Sequence, residues 1–247
     1  MLSVRDLTLH YGGSQILKGI DFDAALGEVT CVTGTNGVGK TSLLKALAGT
    51  HPRSGGSYTL AGADVGRAKA FDLAKMGVAY VPQGREIFPF LTVQENLETG
   101  YACLPRNARR VPEEIFELFP ILKTFLNRRG GDLSGGQQQQ LAIARALVSD
   151  PKVLLLDEPT EGIQPNVIQQ IGESIRVLKE RGTIAIILVE QYLSFAYELG
   201  DAFVVMERGE VKLRGQKAAL SLEDLMESTS LSALLGRPKS QCFQQYA

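Results

Sequence analysis

Residues 34–41 read Gly-Thr-Asn-Gly-Val-Gly-Lys-Thr, a glycine-rich stretch between a short apolar run at 28–33 and a helical pattern that stops at Gly49. Glycines allow consecutive backbone N–H groups to curl around a phosphate without clashes from a Cβ atom. The helix that follows directs its positive N-terminal end at that phosphate. In this pattern Lys40 reaches the β- and γ-phosphates, and Thr41 offers a hydroxyl to Mg²⁺. The stretch predicts a phosphate-binding loop; the alternative is a glycine-rich turn that precedes a lysine by chance.

A second stretch, Val-Leu-Leu-Leu-Asp-Glu at 153–158, is an apolar strand that ends in two carboxylates. Ligands of open α/β sheets bind at the carboxyl edge of the sheet, where such a strand delivers its last residues. We expect Asp157 to bind Mg²⁺ through a water molecule. Glu158 faces the other way, so we expect it to contact a water molecule and not the metal. The alternative is a strand that enters a polar turn before Pro159.

A third stretch, Leu-Ser-Gly-Gly-Gln at 133–137, opens a predicted helix. Ser134 is a good N-cap, and two glycines leave backbone N–H groups bare at the positive end of the helix. Each glycine costs about 1 kcal/mol inside a helix. We therefore interpret the pair as serving an anionic ligand, the alternative being an ordinary cap before an amphipathic helix.

Strands alternate with helices along most of the chain, which predicts an α/β fold with a mainly parallel sheet. Segments 2–10 and 20–24 alternate as strands of an antiparallel part. Residues 84–132 are more polar, with helical patches at 93–97 and 113–127, and are interpreted as an inserted helical sub-domain. Residues 1–236 then form a single domain, and 237–247 form a loose tail without periodicity.

Composition excludes several classes of protein. The chain has 247 residues, 26 Lys and Arg against 27 Asp and Glu, and a net charge of −1, which argues against non-specific nucleic-acid binding. Its three cysteines, Cys31, Cys103 and Cys242, are far apart and argue against a disulfide framework or a zinc site. No apolar stretch approaches the roughly 20 residues of a membrane helix. We expect a cytoplasmic protein.

The three stretches, in the order GTNGVGKT, LSGGQ and LLLDEP, resemble the Walker A, signature and Walker B motifs of ABC-transporter ATPases. The resemblance covers residues 2–235 and implies a P-loop NTPase cassette that binds ATP and Mg²⁺. It implies that Tyr11 stacks on adenine and that Thr41, Gln83 and Asp157 organise Mg²⁺. The alternatives are a strand-end aromatic for Tyr11 and a plain turn residue for Gln83. The implied nucleotide-binding residues are Tyr11, Gly34, Thr35, Asn36, Gly37, Val38, Gly39, Lys40, Thr41 and Ser42.

The same resemblance implies two cassettes that enclose two ATP molecules between them. Ser134, Gly135, Gly136 and Gln137 would act on the ATP held by the partner's loop. The implied partners are a second, non-identical ATPase subunit, two integral-membrane permease subunits and, indirectly, a periplasmic solute-binding protein. A homodimer is possible for the isolated chain, and no nucleic acid is expected. The chain would lie on the inner face of a bacterial plasma membrane, with residues 84–132 meeting the permease.

Two positions depart from the family pattern. Gln191 stands where most cassettes have a histidine, so any contact with the γ-phosphate would be a neutral hydrogen bond. Gln164 stands where an aspartate is usual. Both departures argue against equal rates of ATP hydrolysis at the two ATP sites of the implied dimer. The expected catalytic residues are Glu158 as general base, Gln83 and Gln191.

The stretches DEPTEGIQP, LVEQ and YVPQGREIFPFLTVQENL resemble the ATPases that serve branched-chain amino acid and amide importers. Within that group the motifs look most like the urea-transporter ATPases, which predicts import of urea or short-chain amides. The alternative is the same role in a LivF-type branched-chain amino acid importer. Two other classes stay open: an ABC ATPase that works on DNA or ribosomes, and a regulatory module that binds ATP without turnover.

Overall fold

The computed structural model describes residues 1–229, which form two sheets flanked by helices. The strands are β1 Leu2–Tyr11, β2 Ser14–Ala24, β3 Val29–Thr33, β4 Gly55–Leu60, β5 Ala63–Asp64, β6 Val78–Val81, β7 Val153–Asp157, β8 Ala185–Val189, β9 Ala202–Glu207 and β10 Glu210–Gln216. The α-helices are α1 Lys40–Ala48, α2 Ala70–Lys75, α3 Val93–Glu98, α4 Glu114–Leu118, α5 Pro120–Thr124, α6 Gly135–Leu147, α7 Pro165–Glu180, α8 Leu193–Leu199 and α9 Leu222–Thr229.

The larger sheet has the strand order β10-β9-β3-β8-β7-β6 and is parallel apart from the β9–β10 pair. Every residue of β3, β7 and β8 is buried, because α6, α7 and α8 cover one face of the sheet, and α1 with β1 and β2 covers the other. This explains why these strands read as continuous apolar runs. The carboxyl ends of β3, β6, β7 and β8 meet at one edge, and the loops that follow them contain the predicted site residues.

The smaller sheet is antiparallel, with the order β2-β1-β4-β5. β1 and β2 are joined by a turn at Gly12 and Gly13, in which Gly12 has a φ of 58°. The buried faces of β1 and β2 share one apolar cluster with Leu43, Leu44 and Leu47 of α1. The same cluster includes side chains of β3, β7 and β8, so α1 lies between the antiparallel sheet and one face of the larger sheet.

Short helices fill the segment at 84–132. The predicted helix at 113–127 is wrong as one element: the structure has α4 and α5, with Phe119 between them in a non-helical conformation (φ −132°, ψ 71°). Pro120 explains the break, because proline lacks a backbone N–H and disfavours a helical conformation in the residue before it. Asn96 is buried in α3 and donates to the carbonyl oxygens of Phe88, Leu91 and Thr92, which shapes the loop before α3.

The sequence patterns missed β4, β5, α2 and α9, none of which is longer than eight residues. The helix predicted at 135–149 ends at Leu147 instead. The predicted tail at 237–247 and Cys242 lie outside the described residues. Among residues 1–229, no helix combines the length and apolar character needed to cross a membrane.

Candidate functional site

The loop between β3 and α1 requires its glycines for two reasons. Gly34, Gly37 and Gly39 have φ values of 145°, 80° and 109°, a region that side chains with a Cβ atom rarely adopt. A Cβ at Gly34 would also lie 2.4 Å from the carbonyl oxygen of Met206, and one at Gly39 would lie 2.9 Å from Leu17 Cδ2. The loop therefore combines an unusual backbone path with close packing against the neighbouring strands.

Lys40, the first residue of α1, is only 4% exposed. Its Nζ donates to the carbonyl oxygens of Gly34 (2.8 Å) and Thr35 (3.1 Å) and lies 3.8 Å from Glu158 Oε1. Burial lowers the pKa of Lys40, and the nearby Glu158 carboxylate opposes that shift. A buried cation whose present partners are loop carbonyls can exchange them for the stronger acceptor that a phosphate oxygen offers.

Asp157 is the last residue of β7 and is buried. Its two carboxylate oxygens accept hydrogen bonds from Thr41 Oγ1 (3.2 Å) and Tyr80 Oη (3.1 Å). Burial raises the pKa of Asp157, and the hydrogen bonds from Tyr80 and Thr41 oppose that shift. The carboxylate and the Thr41 hydroxyl are adjacent hard oxygen ligands of the kind that Mg²⁺ prefers. Sequence reasoning missed Tyr80, whose role depends on strand pairing between β6 and β7.

Glu158 follows Asp157 and has a φ of 48°, which is uncommon for a residue other than glycine. Its backbone N–H donates to the carbonyl of Val189, which ties the strained turn to the end of β8. Its Oε1 accepts from Gln191 Nε2 at 2.7 Å, and its Oε2 accepts from Gln83 Nε2 at 3.3 Å. Two amide side chains from different loops therefore hold one carboxylate.

A cavity of about 410 Å³ brings most of these side chains together. Two of its lining residues, Ile16 and Glu161, were not predicted. Some of the predicted site residues do not line it: Gly34, Thr35, Val38, Asp157 and the segment 134–137. The full lining is Tyr11, Ile16, Asn36, Gly37, Gly39, Lys40, Thr41, Ser42, Gln83, Glu158, Glu161 and Gln191.

Tyr11 is the last residue of β1, is 41% exposed and lines the cavity. Its ring centroid lies 4.2 Å from that of His51, with the two rings tilted by 58°. His51 thus packs against an aromatic ring that lines the cavity, a contact that the sequence did not suggest. A partly exposed aromatic ring in this position can stack on a flat base.

Glu190 is a further carboxylate that sequence reasoning missed, and it is 2% exposed. Its Oε1 accepts from the backbone N (3.1 Å) and the Oγ1 (2.8 Å) of Thr160. Its Oε2 accepts from the backbone N–H groups of Gln191 (3.1 Å) and Tyr192 (3.4 Å). Burial raises its pKa, and these hydrogen bonds oppose that shift. The available signal was a carboxylate directly after a buried strand, as at Glu158.

The segment 134–137 begins α6 with a capping box. Ser134 Oγ accepts from the Gln137 backbone N–H (3.3 Å), and Gln137 Oε1 accepts from the Ser134 backbone N–H (3.0 Å). The two glycines have a packing reason besides the predicted ligand: a Cβ at Gly135 would lie 2.9 Å from the Arg85 guanidinium, and one at Gly136 would lie 2.8 Å from Val167.

Comparison with known proteins gives three concordant findings. Residues 17–161 match the family model described as ABC transporter. The chain is 39% identical over 221 residues to the high-affinity branched-chain amino acid transport ATP-binding protein BraG of Pseudomonas aeruginosa, covering 89% of this chain and 94% of BraG. It is 35% identical over 216 residues to the probable branched-chain amino acid transport ATP-binding protein LivF of Archaeoglobus fulgidus, covering 87% and 92%.

A solved structure of a nucleotide-free ATP-binding cassette from an ABC transporter superposes with a TM-score of 0.81. It is 24% identical in sequence and covers 97% of this chain and 96% of its own. The predicted cassette fold, with a mainly parallel sheet, an antiparallel sheet and inserted helices, is confirmed.

Proposed function

The chain belongs to the ABC transporter family as an ATP-hydrolysing subunit, and on that premise we propose that it energises the import of branched-chain amino acids. The observation that supports its chemistry best is the convergence on one cavity of Lys40, at the start of α1, with Gln83, Glu158 and Gln191, from three separate loops. Phosphoryl transfer depends mainly on positioning and charge stabilisation, and this arrangement offers both.

The phosphates of ATP would lie in the loop at 34–39, on backbone N–H groups and Lys40. Thr41, Asp157 and Gln83 would hold Mg²⁺, which supplies positive charge against the developing negative charge of the phosphates. Glu158 would polarise the attacking water as general base, since its carboxylate lies in the cavity and is held by two amides. Tyr11 would stack on adenine, with His51 behind it.

A second ATPase subunit would complete the site. Ser134, Gly135, Gly136 and Gln137 do not line the chain's own cavity, which supports their predicted action on the ATP of a partner. The capping box uses the N–H groups of Ser134 and Gln137, so the N–H groups of Gly135 and Gly136 and the positive end of the helix dipole would make that contact. We infer a non-identical partner subunit, as the sequence resemblance implies, with a homodimer possible for the isolated chain.

The segment at 84–132 would meet one of two permease subunits at the inner face of the plasma membrane, and these would receive solute from a periplasmic binding protein. Phe90 is 85% exposed, and Phe88, in the same loop, is also exposed. Large exposed apolar side chains close together are typical of an interaction surface. The helical sub-domain within a single domain at 1–236 is part of this proposal.

The transported solute is inferred from the relatives alone. BraG and LivF are both named for branched-chain amino acids, so they support the LivF-type alternative better than the prediction of urea or short amides, which stays a prediction. Because both relatives are named as transport ATP-binding proteins, they also favour a transporter ATPase over the two other classes. Those classes are an ATPase that works on DNA or ribosomes and a regulatory module that binds ATP without hydrolysing it.

Uptake in a strain deleted for this gene tests the proposal. We expect uptake of labelled leucine to fail at low substrate concentration and labelled urea uptake to continue. The parental gene and the surface control Glu180→Gln should restore leucine uptake, and Glu158→Gln should not. Loss of urea uptake alone would favour the urea prediction, and normal uptake of both solutes would contradict both.

A further inference from the structure

The side-chain amide of Gln83 lies between two carboxylates. Its Nε2 donates to Glu161 Oε2 at 2.9 Å and to Glu158 Oε2 at 3.3 Å. Carboxylate oxygens only accept hydrogen bonds, so the NH₂ end of the amide must face them. The opposite end, Oε1, is therefore the end that can serve as an oxygen ligand for a cation.

Glu161 is held in place through its backbone. The preceding residue, Thr160, is bound through its N–H and hydroxyl by the buried Glu190, and the N–H of Glu161 itself donates to the carbonyl of Glu158 (3.2 Å). The Glu161 side chain is exposed and lines the cavity. A substitution there changes the cavity without removing core packing.

We propose that Glu161 is a positioning residue that orients the Gln83 amide, so that Gln83 presents Oε1 to the divalent cation of the site. The inference rests on the proposed role of Gln83 at Mg²⁺. The Glu161–Gln83 hydrogen bond also connects the loop after β7 directly to the loop after β6. A displacement of Glu161 would therefore change the orientation of the Gln83 amide.

A simpler account is that Glu161 attracts a cation by its charge alone. Two substitutions separate the accounts. Glu161→Gln removes the charge and keeps an oxygen that can accept from Gln83, whereas Glu161→Ala removes both. Positioning predicts that only the alanine variant is impaired, and the charge account predicts that both variants are impaired alike.

The test uses the purified full-length chain with ATP, and Mn²⁺ as the probe, because free Mn²⁺ can be counted by electron paramagnetic resonance. We expect Glu161→Ala to weaken Mn²⁺ binding in the presence of ATP by about five- to tenfold. Glu161→Gln and the exposed control Glu180→Ala should bind Mn²⁺ like the parent. ATP binding in excess chelator should be the same for all four proteins.

A double-mutant cycle with Gln83→Ala completes the test. If Glu161 acts through Gln83, Glu161→Ala adds nothing in the Gln83→Ala background, and additive effects would overturn the proposal. Parental Mn²⁺ binding by Glu161→Ala, or equal losses in both Glu161 variants, would also overturn it. If Gln83→Ala alone leaves Mn²⁺ binding unchanged, the proposed role of Gln83 at the cation is wrong as well. The Gln83→Ala result therefore distinguishes failure of the Glu161 proposal from failure of the proposed Gln83 role.

Discussion

Gln191 Nε2 donates a hydrogen bond to Glu158 Oε1 over 2.7 Å, and the same oxygen lies 3.8 Å from Lys40 Nζ. The sequence places Gln191 where a contact with the γ-phosphate is expected. The structure places its amide on the carboxylate that is the expected base. A neutral donor in this position fixes the carboxylate without adding charge, so Gln191 can act by orienting Glu158 toward the attacking water.

Removing that amide should therefore slow hydrolysis more than it weakens ATP binding. We expect Gln191→Ala to lower kcat by about ten- to a hundredfold, since a hydrogen bond to a charged group is lost, with little change in ATP affinity. Single-turnover hydrolysis and equilibrium ATP binding measure the two effects. The exposed glutamine variant Gln216→Ala is the control, and a parental kcat in Gln191→Ala would show that Glu158 needs no such support.

Glu158→Gln keeps the size of the side chain and removes its basicity. We expect ATP binding to persist and hydrolysis in the assembled transporter to fall by about 10²–10⁴-fold, the usual contribution of a general base. Glu180→Gln, an exposed change of the same chemistry, should hydrolyse ATP normally. If Glu158→Gln turns over at the parental rate, another group takes the proton.

The parts of the site that lie in continuous stretches of sequence could be predicted. Lys40, Thr41, Asp157 and Glu158 each adjoin a buried apolar strand or a glycine-rich turn, and local chemistry identifies them. The apolar runs of β7 and β8 likewise predicted buried parallel strands.

The partners that hold those residues could not be predicted. The hydrogen bond from Tyr80 to Asp157 joins residues 77 apart, and that from Thr160 to Glu190 joins residues 30 apart. Both depend on which strands are neighbours in the sheet, which local patterns do not determine. The same holds for Glu161, whose contact with Gln83 spans 78 residues.

Tyr11 should contribute to nucleotide affinity through the face of its ring. We expect Tyr11→Ala to weaken ATP binding by about tenfold, within the range measured for stacking on a base, and Tyr11→Phe to bind normally. Because stacking tolerates any base, GTP should lose affinity by a similar factor. Equilibrium binding of both nucleotides checks this, and normal ATP affinity in Tyr11→Ala would assign the residue a purely structural role at the end of β1.

The buried Glu190 should give the protein a pH-dependent stability. Because burial raises its pKa above the ordinary value of 4.5, the folded chain binds this proton more tightly than the unfolded chain. The stabilisation is therefore complete below pH 4.5 and is lost as pH rises through the higher folded pKa. Glu190→Gln cannot titrate, and its amide places a donor against the N–H groups of Thr160 or Gln191.

We expect Glu190→Gln to be less stable than the parent, by about 1–3 kcal/mol at the acid end of the range, because a buried donor loses its acceptor. The difference in the free energy of unfolding between the two proteins should narrow as pH rises toward neutrality. Only the parent loses the stabilisation that comes from protonated Glu190. Urea unfolding of both proteins at several pH values from 4.5 upward measures it, and all other titrating groups cancel in the difference. A difference that widens with pH would mean that the four hydrogen bonds to Glu190 outweigh its burial and that its pKa is lowered in the folded chain.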